Sequence, residues 1–355
     1  MTDPSPAQEP NGTTRTDAAS TTRTRPATEP DATARPTGGT DALRDAFGRL
    51  RAEVGKAVIG QEGAVSGMIV GILAQGHVLL EGVPGVAKTL LVRSLAAAMS
   101  LDTKRIQFTP DLMPGDVTGS LVFDASTGTF PFREGPVFTN VLLADEVNRT
   151  PPKTQSALLE AMEERQVSVD GAARPLPDPF FVAATMNPIE FEGTYTLPEA
   201  QLDRFLMKLT LDVPPRDVEW QVLRRHADGF VPRDVRSAGV RPVLGVDEVL
   251  AAQRAVRAVG ARDDVLAYVV DLARATRQAP SVRIGVSPRG ATALLAAAKA
   301  WAWLTGYDAI TPDHVQAMLL PVWRHRLRVA ADAELEGVGA DGVLQQVVEQ
   351  VRVPF

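Results

Sequence analysis

The feature that most constrains this chain is Gly82-Val83-Pro84-Gly85-Val86-Ala87-Lys88-Thr89, set between the apolar run His77-Val78-Leu79-Leu80 and the helix-forming stretch Thr89 to Met99. A glycine-rich loop leading from a strand into a helix turns backbone N–H groups and a helix N-terminus toward one point, where a triphosphate can be held. In that geometry Lys88 meets the β- and γ-phosphates and the Thr89 hydroxyl ligates Mg²⁺. The segment from Gly82 to Leu90, with Val83, Pro84, Gly85, Val86, Ala87, Lys88 and Thr89 between, is the candidate nucleotide-binding loop. Many such loops have glycine immediately before the lysine, where this chain has Ala87. Only a positive φ would exclude alanine there, and a residue entering a helix need not have one.

Two further apolar runs end on polar residues. Val141-Leu142-Leu143-Ala144 stops at Asp145-Glu146, and Phe180-Phe181-Val182-Ala183-Ala184 stops at Thr185-Met186-Asn187-Pro188. Unalternated apolar runs with helices between them predict parallel strands covered on both faces. Ligands bind such sheets just past the strand C-terminal ends. There Asp145 would hold the metal and Glu146 would polarise an attacking water. Asp247-Glu248 is an internal control, because the same pair opens a predicted helix, where both acids simply complement its dipole. Asn187 could orient the water or could be a turn residue before Pro188. Arg204 and Arg289 are further cations, which spacing alone would not single out among 37 Lys and Arg residues.

Beyond about residue 215 the strand pattern stops. Helices are predicted at 216–226, 247–259, 263–277, 288–304 and 312–323. The expected organisation is a tail over 1–40, an α/β core over 41–215, a linker over 216–244, a helical lid over 245–335 and a C-terminal helix or tail over 336–355. The tail has no Leu, Ile, Val or Phe between Thr2 and Asp41, so it buries too little to order itself. Asp41 is the expected N-cap of the first helix.

Composition excludes several functions. The chain has no cysteine, which removes disulfides, thiolate metal sites and a cysteine nucleophile. His77, His226, His314 and His325 show no metal-binding spacing. A net charge of −6 gives no general attraction to nucleic acid. No apolar stretch reaches the length of a membrane span, since the best, Met68 to Val83, is cut by Gln75 and His77. A cytoplasmic location is expected.

Taken together, several segments resemble the MoxR-type AAA+ ATPases. They are VIGQ at Val58 to Gln61, GVPGVAKT at Gly82 to Thr89 and LLADEVNRTPPKTQSALLEAMEERQV at Leu142 to Val167. They continue with ATMNP at Ala184 to Pro188, EGTYTLPEAQLDRF at Glu192 to Phe205 and GVSPRG at Gly285 to Gly290. The resemblance spans about residues 45 to 330, and Ala87 before the lysine fits it. It implies a P-loop core with a parallel sheet between helical layers, an all-helical lid, and ATP and Mg²⁺ as ligands. Lys88 and Thr89 correspond to the Walker A residues, Asp145 and Glu146 to Walker B, and Asn187 to sensor 1. Arg289 corresponds to the sensor 2 arginine, reaching ATP of its own subunit, and Arg204 to an arginine finger that enters the neighbour's site. Val58, Ile59, Gly60 and Gln61 correspond to the adenine-pocket segment.

The resemblance also implies a ring, most often a hexamer, and two insertions. One is Met113 to Pro136, with Phe123, Phe130 and Phe132, which either pack locally or grip a substrate. The other is a hairpin turning at Asp170-Gly171. Its tip offers Asp170 and Arg174 without aromatics, which argues against tracking nucleic acid. The function implied is an ATP-driven chaperone that remodels a client protein complex together with a von Willebrand factor A domain protein. The alternatives are a motor subunit of a metal chelatase and a DNA-remodelling AAA+ protein.

Overall fold

A computed structural model describes Met1, residues 38–187 and residues 194–354. The expected tail therefore lies outside the described residues except at its ends, as do Pro188, Glu192 and Gly193 of the matching segments. The first helix, α1 (Gly38–Gly55), begins ahead of Asp41. Asp41 sits in the first turn, where its charge complements the helix dipole and pairs with Arg44, and is not the N-cap.

The core then runs α2 (Glu62–Leu73), β1 (Val78–Glu81), α3 (Lys88–Ala98), β2 (Thr103–Gln107), α4 (Pro114–Thr118), β3 (Gly119–Leu121), β4 (Phe132–Glu134) and β5 (Val141–Asp145). It continues with α5 (Pro152–Glu164), β6 (Gln166–Val169), β7 (Ala172–Pro175), β8 (Phe181–Met186), α6 (Glu199–Leu202) and β9 (Met207–Thr210). Five of these strands form a parallel sheet in the order β2-β5-β8-β1-β9.

Successive residues of the central strands feed two separate apolar clusters. Val78, Leu80, Val141, Leu143, Phe181 and Ala183 face one, while Leu79, Leu142, Ala144, Val182 and Ala184 face the other. Both faces are covered, which is why these runs show no alternation. His77, at the foot of β1, is buried between β8 and α5. Its Nδ1 accepts from the Val182 N–H (3.0 Å), and its Nε2 meets the Met162 carbonyl (3.0 Å), so the ring is neutral with its proton on Nε2.

The insertion before β5 is partly ordered, with β3 and β4 paired antiparallel. Phe132 packs edge-on against Phe138 (5.7 Å) and beneath the Arg174 guanidinium. Phe123 and Phe130 are exposed and lie against each other at 5.1 Å, so local packing accounts for only one of the three rings. The β6–β7 hairpin turns through Asp170 (φ 51°) and Gly171 (φ 73°), the two positive values that a tight two-residue turn requires.

Past the core, the 216–244 segment holds α7 (Arg216–Ala227) and a 3₁₀ turn over Val235–Ala238. The lid comprises α8 (Val246–Arg257), α9 (Asp263–Gln278), β10 (Val282–Ile284), α10 (Pro288–Leu304), α11 (Pro312–Trp323), β11 (Arg328–Val329), α12 (Ala331–Leu335) and α13 (Ala340–Gln350). It is not purely helical as expected, because β10 pairs antiparallel with β11. Strands of two and three residues are too short to carry a readable period. One apolar cluster runs from Leu80 and Leu91 in the core to Leu272 and Trp323 in the lid. Gln253 of α8 reinforces the junction by donating to the Ile72 carbonyl at 2.8 Å. Among the described residues no helix is long and apolar enough to cross a membrane.

Candidate functional site

Because the sheet is parallel, β1, β5 and β8 all end on one edge, and a cavity of about 580 Å³ opens there. Lys88, Thr89, Asp145, Glu146 and Asn187 line it together. Pro84, Gly85, Ala87 and Leu90 of the loop line it as well, whereas Gly82, Val83 and Val86 do not. At Gly82 an added Cβ would meet the Leu211 carbonyl oxygen at 2.6 Å, so only glycine lets the chain pass β9 this closely.

Gly85 (φ 91°) and Ala87 (φ 66°) are both left-handed. Ala87 thus has the positive φ that a residue entering a helix need not have, and alanine occupies it nonetheless. Left-handed residues alternating with right-handed ones form a nest that aims successive N–H groups inward, and that curvature is imposed on Ala87 at a cost of about 1–2 kcal/mol. The Lys88 ammonium donates to the carbonyls of Gly82 and, more weakly, Val83 (3.5 Å) and Met186 (3.4 Å), which hold it across the mouth of the loop.

Opposite the loop, Asp145 and Glu146 are fixed by their neighbours. The Thr185 hydroxyl, fully buried at the end of β8, donates to Asp145 Oδ1 (2.6 Å) and accepts from the Glu146 N–H (2.9 Å). Asp145 Oδ2 accepts from the Arg105 Nε (3.1 Å) and Nη2 (2.7 Å). The Glu146 carboxylate accepts from Gln107 Nε2 (2.6 Å) and pairs with Arg149 (3.1 Å). Glu146 itself is left-handed (φ 58°), which lifts it off the strand direction toward the cavity. By contrast the Glu248 carboxylate accepts from the Gly245 N–H (3.0 Å) at the start of α8, in keeping with its reading as a structural control.

The lining fits a magnesium nucleotide. Lys88, Arg93, Arg105, Arg225 and Arg233 set five cations against the two carboxylates, Asp145 and Glu146, as a polyphosphate requires. The volume suits a small-molecule ligand. Among the described residues no group of three or more His, Asp or Glu could cage a metal by itself. That matches Mg²⁺, which takes one or two protein oxygens and completes its shell with phosphate and water. Thr89 and Asp145, the expected metal-side residues, both line the cavity, as does the neighbouring Glu146.

Other expected site residues are placed differently. Val58 and Ile59 line the cavity, but Gly60 and Gln61 face a separate pocket against β9. The positive φ of Gly60 (73°) turns the chain away, and the Gln61 amide is used to hold the Asp212 carbonyl (3.0 Å). Arg289 does not reach the cavity of its own chain. Its Nη1 donates to Glu163 Oε1 (3.1 Å), and Arg204 pairs with the other oxygen of the same carboxylate (3.0 Å). In this structure the lid places Arg289 against α5 beside Arg204 and not in the cavity of its own chain, where its expected role would put it.

Sequence reasoning missed Arg105 and the second wall. Arg105 and Gln107 share the face of β2 opposite buried Ile106, so strand alternation beside Asp145 and Glu146 was the available signal. The second wall comes from α7 and the turn beyond it, with Val222, Arg225, His226 and Phe230. Arg225 Nη1 donates to the Lys56 carbonyl, and His226 packs on Phe230 at 5.5 Å. Nothing in the α7 sequence marked it as more than a surface helix.

Comparison with known proteins agrees with this geometry. Residues 77–207 match the model of the ATPase family associated with various cellular activities (AAA), and residues 274–347 match an AAA lid domain. The Bacillus subtilis uncharacterized protein YeaC is 45% identical over 88% of this chain and 96% of its own length. Chaperone MoxR1 of Mycobacterium tuberculosis is 39% identical over 90% of this chain and 86% of its own. Protein MoxR of Methylorubrum extorquens is 33% identical over 80% and 88%. A crystal structure of a Cytophaga hutchinsonii protein assigned as an ATPase superposes with a TM-score of 0.81 at 38% identity, covering 89% of this chain and 97% of that one. With a P-loop cavity, an AAA core and its lid, and relatives of this identity along nearly their whole length, the chain belongs to the MoxR family of AAA+ ATPases.

Proposed function

We propose that the chain hydrolyses ATP in a Mg²⁺-dependent reaction within a ring, most simply a hexamer, in which each site is completed by the next subunit. One observation carries this reading. Arg204 and Arg289 converge on Glu163, away from the cavity that holds Lys88, Asp145 and Glu146. Two guanidiniums sharing one partly exposed carboxylate leave an excess positive charge at the surface, suited to an anion supplied from outside the chain. The γ-phosphate in a neighbour's cavity is such an anion. Within the cavity, Lys88 and the loop N–H groups hold the phosphates, Glu146 takes the proton of the attacking water, and Asn187 orients that water. Bound Mg²⁺ would neutralise phosphate charge from the Thr89 and Asp145 side.

The turnover drives remodelling of a client protein complex, with a von Willebrand factor A domain protein as partner. This part rests on family membership and on the name Chaperone MoxR1 borne by one relative. The cytoplasm, where ATP is supplied, is the proposed location.

The test is a mixing experiment. Arg204→Ala and Glu146→Gln subunits each bind ATP and each lose hydrolysis, the first by roughly 10³-fold if it behaves as other arginine fingers do. Mixed rings contain interfaces with an intact Glu146 on one side and an intact Arg204 on the other, and ATPase activity returns. Co-assembled subunits in which no activity returns at any mixing ratio, while wild-type subunits hydrolyse ATP equally well when diluted to monomers, would refute action across the interface.

A further inference from the structure

Arg326, in the turn between α11 and β11, has a side chain only 3% exposed and is not part of the nucleotide cavity. A guanidinium offers five N–H groups in one plane, and here all five have acceptors. Nε donates to Asp203 Oδ1 (2.6 Å). Nη1 donates to the Leu206 carbonyl (2.8 Å) and to the Val322 carbonyl. Nη2 donates to the carbonyls of Phe205 (2.6 Å) and Asp203 (3.1 Å). Four of the five acceptors lie in the four-residue segment Asp203 to Leu206, and the fifth lies on the lid helix α11. Burial pushes the Arg326 pKa down, while the Asp203 carboxylate pulls it back up.

Arg204 stands inside the clamped segment. Its own side chain points to Glu163 and takes no part in the clamp. His325, the preceding lid residue, adds a contact between its Nε2 and the Phe205 carbonyl (3.1 Å). The backbone that carries Arg204 is therefore held from two sides: by the core, through turn bonds to Gln201 and Leu202 and the Leu206 N–H donating to the His77 carbonyl (2.8 Å), and by a rigid planar fork from the lid.

We propose that Arg326 is a positioning residue for Arg204, its planar fork fixing the finger's backbone at the junction of lid and core. This rests on the reading of Arg204 as a finger that completes the neighbour's site. Lysine cannot substitute, because its three donors radiate from one atom and cannot span Asp203 Oδ1 and the Leu206 carbonyl together. A finger works by meeting transition-state charge at a defined point, so a displacement of about 1 Å costs roughly 10²-fold in rate.

The experiment compares kcat and ATP affinity for wild type, Arg326→Met, Arg326→Lys, Arg204→Ala and the double variant Arg326→Met/Arg204→Ala, each measured on rings shown to be assembled by sedimentation. The expected result is a kcat loss of roughly 10²-fold in Arg326→Met, with ATP affinity within about twofold of wild type because that variant's own cavity is untouched. Arg326→Lys shows an intermediate loss. In the Arg204→Ala background, Arg326→Met costs nothing further, since there is no finger left to misplace. A role limited to welding lid to core would instead multiply the losses in the double variant, and that result overturns the proposal. So does a wild-type kcat in Arg326→Met when Arg204→Ala is inactive. Full activity in Arg204→Ala overturns the finger reading itself, and this proposal with it. If Arg326→Met does not assemble, Asp203→Ala replaces it, because that change removes the acceptor of the Nε–H and leaves the carbonyl contacts in place. It is judged by the same non-additivity.

Discussion

Thr185→Val is the sharpest local perturbation of the catalytic edge. Valine has nearly the shape of threonine, so packing at this fully buried position is kept and only the hydroxyl is lost. Two hydrogen bonds go with it: the charge-assisted one to Asp145 Oδ1 and the one received from the Glu146 N–H. At about 2 kcal/mol for the first and about 1 kcal/mol for the second, the strand end loses about 3 kcal/mol, and the Glu146 amide is left without a partner. That corresponds to roughly a 10²-fold loss of hydrogen-exchange protection at the Glu146 amide, readable by exchange mass spectrometry on peptides spanning β5. Glu146 is also held at φ 58°, against a preference for negative φ of about 1–2 kcal/mol. Released from Thr185, its backbone relaxes and the carboxylate leaves the water site, so kcat falls by roughly 10²-fold. ATP affinity, set by the loop across the cavity, stays near wild type. Thr185→Ser keeps the hydroxyl and retains both protection and most of kcat. If Thr185→Val loses protection yet keeps wild-type kcat, Glu146 does not depend on this hydroxyl for its position. If protection is unchanged, the hydrogen bond itself carries no weight.

Burial holds His77 neutral, with its pKa pushed down to about 4, helped by the positive charge of Arg165 and opposed by its bond to Met162. The unfolded chain takes up a proton below about pH 6.5 and the folded chain does not until about pH 4, so this group makes stability rise with pH across that window. The full effect is about 3 kcal/mol. His77→Gln should flatten the pH dependence of the urea midpoint between pH 4.5 and 6.5, and equal slopes in the two proteins would count against this account. Lys88→Ala should lose ATP binding by calorimetry while keeping the fold, since the ammonium lies at the mouth of the loop and lines the cavity rather than the apolar core. Wild-type affinity in that variant would remove the loop from the binding site.

The parts of the site that could be read in the sequence share one property: each belongs to a short contiguous segment at the end of a strand. Lys88, Thr89, Asp145, Glu146 and Asn187 meet because a parallel sheet must bring its strand ends to one edge, and apolar runs mark those strands directly. The placement of Gly60 and Gln61 is not legible because one positive φ decides which side of the chain faces the cavity, and glycine allows either sign. The left-handed Ala87 is hidden for the complementary reason, since alanine gives no hint that the loop forces it there. Arg289 could not be placed because the position of the lid on the core depends on a shared apolar cluster and on contacts such as Gln253 to Ile72, none of them local in sequence. Arg105, Arg225 and Arg326 were indistinguishable from the chain's many surface cations until tertiary structure gave each a partner.

The wall built by α7 has a consequence for timing. None of its residues is buried, and Trp220 and Leu223 are exposed. A helix held by so little apolar contact opens locally at small free-energy cost, well below that of separating lid from core. In the proposed cycle, nucleotide is then expected to enter and leave past α7 while the apolar cluster joining the two layers stays intact. Exchange of ADP for ATP would be a local fluctuation at the edge of a stiffer body, with any larger rearrangement of the lid reserved for the hydrolysis step.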